Sequence, residues 1–125
     1  MRAVDTNVLV RLIARDDARQ TSAAEAFIAN GAWVSQLALA EAVWVLASVY
    51  DLNAQDQARR IEMLLDHRQL VLQDHESVAA LKLFRADPSL GFSDCLTLEM
   101  ARKAGYLPLG TFDRKLGKIE SAQKL

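Results

Sequence analysis

Four acidic residues stand at places in the sequence where carboxylates could do chemistry. Asp5 directly follows the short apolar run Ala3-Val4, where a strand would give way to a helix. Asp113 follows a similar run near the other end of the chain, and Asp94 lies where a helical pattern opens. Each of these aspartates is also a favoured helix cap, because a carboxylate accepts hydrogen bonds from free N–H groups and suits the helix dipole. A chemical role therefore depends on whether they are grouped.

Glu41 is the acidic residue that capping cannot explain. It lies in the middle of residues 37–47, which are apolar on every side of a helical wheel, so the pattern predicts a buried helix. Its neighbours one helical turn away, such as Leu37 and Trp44, cannot pair its charge. A buried, ionised carboxylate without a partner costs several kcal/mol. We therefore expect Glu41 to be protonated, paired with a distant Arg or Lys, or near a cation.

A shared pocket for these carboxylates would need a cation. Two unit charges ~4 Å apart repel each other by about 4 kcal/mol at an effective dielectric constant of about 20. Oxygen ligands without an accompanying His or Cys cluster fit Mg²⁺ or Mn²⁺ better than zinc. Such a site would direct a metal-activated water at a phosphodiester. The residues that would form it are Asp5, Glu41, Asp94 and Asp113.

Short apolar runs alternate with longer helical patterns along the chain, which is typical of an α/β fold with a mostly parallel sheet. The predicted strands are Ala3-Val4, Trp33-Val34, Leu70-Val71-Leu72 and Leu107-Pro108-Leu109. The predicted helices are Asn7 to Ala14, Ser22 to Ala29, Leu37 to Tyr50, Asn53 to Leu65, Ser77 to Phe84 and Ser93 to Ala104, the last ended by Gly105. Folds of this kind bind ligands at the carboxyl ends of their strands, where Asp5 lies.

Length and composition predict one globular domain that covers residues 1–125. Hydrophobic residues make up 51% of the 125 residues and charged residues 25%, which are ordinary globular proportions. The single cysteine cannot form an intrachain disulfide, and the N-terminus lacks a secretory signal pattern, so we expect a cytoplasmic protein. The longest apolar stretch, residues 37–50, is interrupted by Glu41 and Ser48 and is too short and too polar for a membrane span.

Charge is distributed unevenly along the chain. The net charge of −1 gives no overall positive field that would draw the protein onto nucleic acid. Residues 102–125 nevertheless carry six Lys or Arg against two acidic residues, a balance of +4, while residues 1–101 carry −5. The C-terminal fifth of the chain could therefore face an anion.

Four segments carry a family resemblance that spans nearly the whole chain. They are Val4-Asp5-Thr6-Asn7-Val8-Leu9, then Val34-Ser35 with Leu39-Ala40-Glu41, then Phe92-Ser93-Asp94, and finally Thr111-Phe112-Asp113. In order and spacing they resemble the PIN-domain ribonucleases, in particular the VapC toxins of prokaryotic toxin–antitoxin pairs. The resemblance implies a three-layer sandwich with a central, mostly parallel sheet flanked by helices.

The resemblance also implies roles for individual residues. Asp5, Glu41, Asp94 and Asp113 match the acidic quartet that binds Mg²⁺ or Mn²⁺, with Asp5 and Asp94 as direct ligands and Glu41 and Asp113 acting through water. The residues that match positions orienting these carboxylates are Thr6, Asn7, Ser35 and Thr111. The chain departs from the family pattern at Gln36, where many relatives have proline, and at Cys95 and Thr97.

The implied activity is an endoribonuclease that cuts single-stranded or loop RNA by metal-assisted hydrolysis and leaves a 5′-phosphate. The implied partners are an RNA substrate, a small antitoxin protein that wraps the toxin, and a second copy of the chain in a homodimer.

Several other residues are given ordinary structural roles. His67 and His75 are predicted to be surface histidines, because neither has a His or Cys at ligand spacing, and Trp33 and Trp44 are predicted to pack in the core. Cys95 lacks an activating His and is predicted to be a packing residue. Cations that could contact phosphates around the site are Arg11, Arg15, Lys82, Arg85, Arg114 and Lys115.

Three other functions compete with this interpretation. A phosphoacceptor receiver domain is similar in length and binds Mg²⁺ through aspartates, but it needs an acidic pair after its first strand, where this chain has Asp5 followed by Thr6. A phosphatase of the haloacid dehalogenase type needs a second Asp at the position of Asn7. A PIN fold that acts only as a binding module would not need all four carboxylates.

Overall fold

The computed structural model describes residues 1–72 and 75–125. The chain divides into two units, Met1–Gln73 (unit 1) and Asp74–Leu125 (unit 2). Both units combine helices with parallel strands, so the predicted helix-rich α/β fold with a parallel sheet is confirmed. The prediction of a single domain over residues 1–125 stays a prediction.

Unit 1 is built on a three-stranded parallel sheet. Its strands are β1 (Arg2–Val4), β2 (Ala32–Val34) and β3 (Leu70–Val71), in the order β1-β2-β3. Val4 pairs with Val34, and Ala32 pairs with Leu70. The helices between the strands are α1 (Thr6–Ala14), α2 (Ala18–Ile28), α3 (Gln36–Ser48) and α4 (Ala54–Leu65). Helical connections of this kind are what parallel strand neighbours require.

The helices of unit 1 begin at polar caps and turn apolar faces inward. A side-chain oxygen at each N-cap, Asp5, Asp17, Ser35 and Asn53, accepts a hydrogen bond from a backbone N–H of the first turn. The buried side chains behind these caps include Leu9, Leu39, Leu46, Ile61 and Leu64. The ends of β1 and β2 therefore lead directly into capped helices, at Asp5 and at Ser35.

Unit 2 consists of a helical pair and a small strand module. The helices are α5 (His75–Ala86) and α6 (Phe92–Ala104), and the rings of Phe84 and Phe92 pack edge to face with centroids 6.2 Å apart. Strands β4 (Leu109–Thr111) and β5 (Ala122–Lys124) are parallel neighbours, and the 3₁₀ helix Leu116–Lys118 lies between them in sequence. Gly105 ends α6 with a φ of 87°, as predicted.

Several predicted boundaries are wrong. Helix α2 begins at Ala18, not at Ser22, because Asp17 supplies the cap. Strand β4 begins at Leu109, and Leu107 and Pro108 precede it, since proline cannot donate to a ladder. Strand β5 was not predicted, because Ala-Gln-Lys has none of the branched or aromatic residues that indicate a strand.

The longest helices described, α3 and α6, have 13 residues each. Within residues 1–72 and 75–125, no helix has the length and apolar character needed to cross a membrane.

Candidate acidic site

Asp5 lies at the junction of β1 and α1. It is the N-cap of the helix, in extended backbone conformation, and its Oδ1 accepts a hydrogen bond from the N–H of Val8 at 3.3 Å. Capping is thus a demonstrated role of this exposed side chain. It uses one carboxylate oxygen, and an ionised carboxylate has a second oxygen with its own acceptor capacity.

Glu41 lies close to the same end of α1. Its Oε2 accepts a hydrogen bond from the hydroxyl of Thr6 at 3.0 Å, and Thr6 is the first residue of α1, directly after Asp5. The N-terminus of a helix carries a partial positive charge that favours a nearby carboxylate. Asp5 and Glu41 both accept a hydrogen bond from the first turn of α1, and we call them the acidic pair of unit 1.

The predicted burial of Glu41 is wrong. Helix α3 buries one face, with Leu39, Val43 and Leu46 among its buried residues, while Glu41 is exposed. Leu37 and Trp44 on the outer side are 69% and 67% exposed. A wheel that is apolar all round predicts burial on every side, but the described chain covers only one face of this helix. The partner of Glu41 is a hydroxyl from a distant element and not the Arg or Lys considered from the sequence.

Asp94 occupies the first turn of α6 and is not its cap. Gly91 is the N-cap residue, without a side-chain capping bond, and Asp94 follows as the third residue of the helix. Burial of the half-buried carboxyl and the nearby negative charge of Asp113 raise the pKa of Asp94 above its usual value. The two aspartates are therefore close enough to repel each other, and they form the acidic pair of unit 2.

Asp113 is held by a tight turn after β4. Its Oδ1 accepts hydrogen bonds from the N–H groups of Lys115 at 2.9 Å and Leu116 at 2.8 Å. Its own N–H donates to the Thr111 hydroxyl at 3.0 Å. These contacts fix the exposed carboxylate in one orientation within a turn, and Asp113 is not the predicted helix cap, because Lys115 is the N-cap residue of the 3₁₀ helix.

The four residues predicted to orient the carboxylates divide into two groups. Thr6 bonds directly to Glu41, and Thr111 bonds to the backbone of Asp113. Ser35 instead caps α3, because its hydroxyl accepts from the N–H of Ala38 at 3.0 Å. Asn7 lines a groove of about 490 Å³ between α1 and α2 that also includes Arg11 and Phe27.

Some predicted phosphate contacts are already engaged within the protein. Arg11 pairs with Asp16 at 2.8 Å, and Arg15 pairs with Glu25 at 3.0 Å. Arg114 and Lys115 are exposed directly after Asp113. Of the cations predicted to contact phosphates, Arg114 and Lys115 are the two nearest in sequence to a candidate carboxylate.

The remaining sequence predictions had mixed outcomes. Cys95 is fully buried, and burial raises the pKa of its thiol to about 12, so its assignment as a packing residue is confirmed. His67 is half-buried and its Nδ1 accepts from the N–H of Gln69 at 3.1 Å, while His75 is exposed. The predicted core packing of Trp33 and Trp44 is wrong, because their side chains are 43% and 67% exposed.

Sequence reasoning also missed Phe112. Its ring is 81% exposed beside Asp113. The signal that could have indicated it is an aromatic residue flanked by Thr111, Asp113 and Arg114, where a buried strand residue would have apolar neighbours.

The donor set of the two acidic pairs fits a hard divalent cation. All four side chains offer carboxylate oxygens, the ligands that Mg²⁺ and Mn²⁺ prefer. A divalent cation would relieve the repulsion between Asp94 and Asp113. In the part of the chain that the structure describes, no group of three or more His, Cys, Asp or Glu side chains is arranged to hold a metal ion. Each unit thus contains one pair of acidic residues.

Comparison with known proteins assigns the chain to a family. No curated protein matches the sequence. Residues 2–121, which include all four carboxylates, match the PIN domain. PIN domains are generally nucleases. The match extends through both units and agrees with the parallel α/β architecture. The chain therefore belongs to the PIN domain family.

Proposed function

We propose that this protein is a metal-dependent endoribonuclease and the toxin of a VapBC-type toxin–antitoxin system. The observation that carries the proposal is the PIN domain match over residues 2–121, which contains every member of the acidic quartet. The proposal is supported by the bond between Thr6 and Glu41 and by the interaction between Asp94 and Asp113. The phosphoacceptor receiver alternative is set aside, because the chain belongs to a different family.

The proposed roles of the carboxylates follow from the resemblance to PIN-domain ribonucleases, and the proposed roles of the groups that orient them follow from their contacts. Asp5 and Asp94 would hold Mg²⁺ or Mn²⁺ directly, and Glu41 and Asp113 would act through water. When bound, a divalent cation supplies charge neutralisation and an activated water for phosphodiester hydrolysis. Thr6 orients the Glu41 carboxylate, and the backbone N–H groups of Lys115 and Leu116 orient that of Asp113. The product would carry a 5′-phosphate.

Cleavage of RNA by the purified protein tests this function. We expect mixed RNAs to be cut in Mg²⁺ or Mn²⁺ and to stay intact in chelator, with Asp5→Asn and Asp94→Asn each lowering the rate at least about 100-fold. Asp17→Asn and Asp56→Asn are matched controls, since Asp17 also caps a helix and Asp56 also lies in a first helical turn. Intact RNA in the presence of metal and folded wild-type protein would contradict the proposal.

Metal binding can be measured separately from catalysis. Titration of Mn²⁺ into the RNA-free protein by calorimetry should show binding that Asp94→Asn weakens and Asp56→Asn leaves unchanged. If the wild type and Asp94→Asn bind Mn²⁺ with the same heat and affinity, Asp94 is not a ligand of the proposed metal site.

The toxin role is tested in growing cells. We propose that the protein is cytoplasmic, forms a homodimer and is neutralised by a small antitoxin protein. Expression of the chain alone should then arrest growth, and Glu41→Gln should relieve the arrest. Normal growth with abundant wild-type protein that cleaves RNA in vitro would contradict the toxin role and leave a housekeeping nuclease.

A catalytically silent PIN-fold binding module is the second candidate. It is favoured by one observation, the lack of a three-residue metal-ligand group within residues 1–72 and 75–125. Such a module would bind RNA without cutting it. The cleavage assay above distinguishes the two candidates.

A further inference from the structure

Phe112 is an exposed aromatic residue on a rigid turn. Its side chain is 81% exposed, whereas Phe84 and Phe92 are each 2% exposed and Phe27 is 40% exposed. Full burial of such a ring would stabilise a fold. The fold of this unit does not obtain that stabilisation from Phe112. An exposed ring is therefore available to a ligand.

The backbone around Phe112 is fixed on both sides. The carbonyl of Thr111 accepts a hydrogen bond from the N–H of Leu125 at 2.8 Å. On the other side, Asp113 makes the contacts with Thr111, Lys115 and Leu116 described above. A platform held in this way loses little conformational freedom when a flat ligand packs against it.

Two positively charged residues, Arg114 and Lys115, follow Phe112 and Asp113 in the sequence. Arg114 and Lys115 are exposed, and Lys118 and Lys124 belong to the same β4, 3₁₀ and β5 module. Cations beside an exposed aromatic ring are the combination that binds single-stranded nucleic acid, since cations attract phosphates and the ring stacks on a base. The core of a protein interface, in contrast, is depleted of charged residues. Charge complementarity therefore favours RNA over a protein partner at this position.

We propose that Phe112 is a base-stacking residue that selects an unpaired nucleotide of the RNA substrate next to Asp113. This inference rests on the proposed nuclease function and adds how that site would recognise its substrate. Arg114 and Lys115 hold the flanking phosphates. Because a base inside a duplex is already stacked on its neighbours, only an unpaired base can reach the ring. Because every base has a flat face, the contact selects single strands with little preference for sequence.

The test combines RNA affinity with a spectroscopic signature of stacking. A single-stranded RNA that contains 2-aminopurine is titrated with protein in chelator, so that it is not cut, and both anisotropy and base fluorescence are followed. We expect Phe112→Leu to weaken binding about 5- to 100-fold and to remove the fluorescence quenching, while Phe112→Trp retains both. Duplex RNA should bind Phe112→Leu and the wild type equally.

Tyr106 provides the matched control. It is 79% exposed in the same unit but lies outside the turn that holds Asp113. Tyr106→Leu should bind and quench within about twofold of the wild type, a difference too small for the removal of a stacked base. Thermal unfolding and size-exclusion chromatography of each variant check its fold and oligomeric state.

Three results would overturn the inference. The first is that Phe112→Leu binds single-stranded RNA and quenches its fluorescence as the wild type does. The second is that Phe112→Leu loses affinity for single-stranded and duplex RNA equally. The third is that Phe112→Leu changes the oligomeric size and leaves the RNA affinity unchanged. If the wild type cuts RNA without any dependence on Phe112, only this inference fails. If the wild type quenches through Phe112 but does not cut RNA, the nuclease proposal fails and the stacking role is supported.

Discussion

The hydrogen bond from Thr6 to Glu41 joins the first turn of α1 to the middle of α3. Glu41 is exposed, so packing alone does not fix its carboxylate, and the Thr6 hydroxyl supplies a direct contact that orients it. A side chain that orients a metal-binding carboxylate commonly affects activity by about 10- to 100-fold when it is removed. Thr6 is therefore a positioning residue in the proposed reaction.

We expect Thr6→Val, which replaces the hydroxyl with a methyl group, to lower the RNA cleavage rate about 10- to 100-fold. Thr6→Ser keeps the hydroxyl and should restore most of the rate. The two variants should have similar circular dichroism spectra, so the difference reports on the hydrogen bond. Wild-type cleavage by Thr6→Val would show that this bond does not position Glu41 for the reaction.

Glu76 and Lys103 form an ion pair between α5 and α6. Their Oε1 and Nζ atoms are 3.0 Å apart, and the Glu76 side chain is only 11% exposed. The bond from Lys103 is the first cause that holds the pKa of Glu76 below its ordinary value of 4.5. Since the folded-state pKa is the lower one, the stabilisation is fully present above the unfolded-state pKa. It is lost as the pH falls through the folded-state value.

Glu76→Gln should therefore destabilise the protein near neutral pH, by about 1 kcal/mol because the Lys103 side chain is largely exposed. The difference from the wild type should shrink as the pH falls below the ordinary Glu range. Urea unfolding at several pH values measures it. Glu25→Gln, which removes an exposed pair with Arg15, should have a smaller effect. If the unfolding free energies of Glu76→Gln and the wild type differ by the same amount at every pH, the stabilisation does not come from the ionised Glu76 side chain.

At the scale of elements, the close contact between the 3₁₀ helix and β5 tests how the strand module packs. A methyl group built on Gly117 would lie 2.7 Å from Cβ of Lys124, closer than atoms can pack without movement. On Gly110 in β4, the nearest atom would be Cδ1 of Leu125 at an ordinary 3.6 Å. Gly117 is therefore needed for close approach, and Gly110 is not.

We expect Gly117→Ala to lower the free energy of unfolding by about 1–3 kcal/mol, because the backbone of the module must shift. Gly110→Ala should change it by less than about 0.5 kcal/mol. Urea denaturation of both variants gives the comparison. Equal stabilities would show that β5 moves away from the 3₁₀ helix without cost.

The elements also show which parts of the fold the sequence can predict. Some helix boundaries follow from local chemistry, so the start of α4 after Asn53 and the end of α6 at Gly105 could be identified from residue types, whereas the start of α2 could not. The burial of α3 could not, because a helical wheel does not indicate which of its apolar faces has a neighbour. Likewise, β5 exists through its pairing with β4, which the residues Ala122–Lys124 do not signal by themselves.

For the candidate site, the sequence likewise predicts which residues belong to it but not the contacts that they make. The assignment of Asp5, Glu41, Asp94 and Asp113 to one site stays a prediction from motif order and spacing, and the structure adds that the charge of Asp113 acts on Asp94. The Thr6 contact with Glu41 joins residues 35 positions apart in sequence. Its geometry depends on how α1 and α3 pack, which residue types do not specify.

Taken as a whole, the molecule has almost no net charge with which to attract RNA. The net charge is −1, but residues 102–125 carry +4 and the preceding residues carry −5. Electrostatic attraction to phosphate must therefore come from local groups of cations. Arg114 and Lys115, next to Asp113, are the exposed cations closest in sequence to a proposed catalytic carboxylate.

This charge distribution predicts how RNA affinity depends on salt. For single strands, the slope of log affinity against log salt concentration changes by about 0.7 for each phosphate that a cation neutralises. The double variant Arg114→Gln/Lys115→Gln should therefore show a slope that is shallower by about 0.7 per cation removed, measured by anisotropy in chelator. Arg19→Gln/Arg68→Gln removes the same charge from exposed positions in unit 1 and should leave the slope near that of the wild type. Equal slopes for the two double variants would mean that net charge, and not the cations after Asp113, governs the association with RNA.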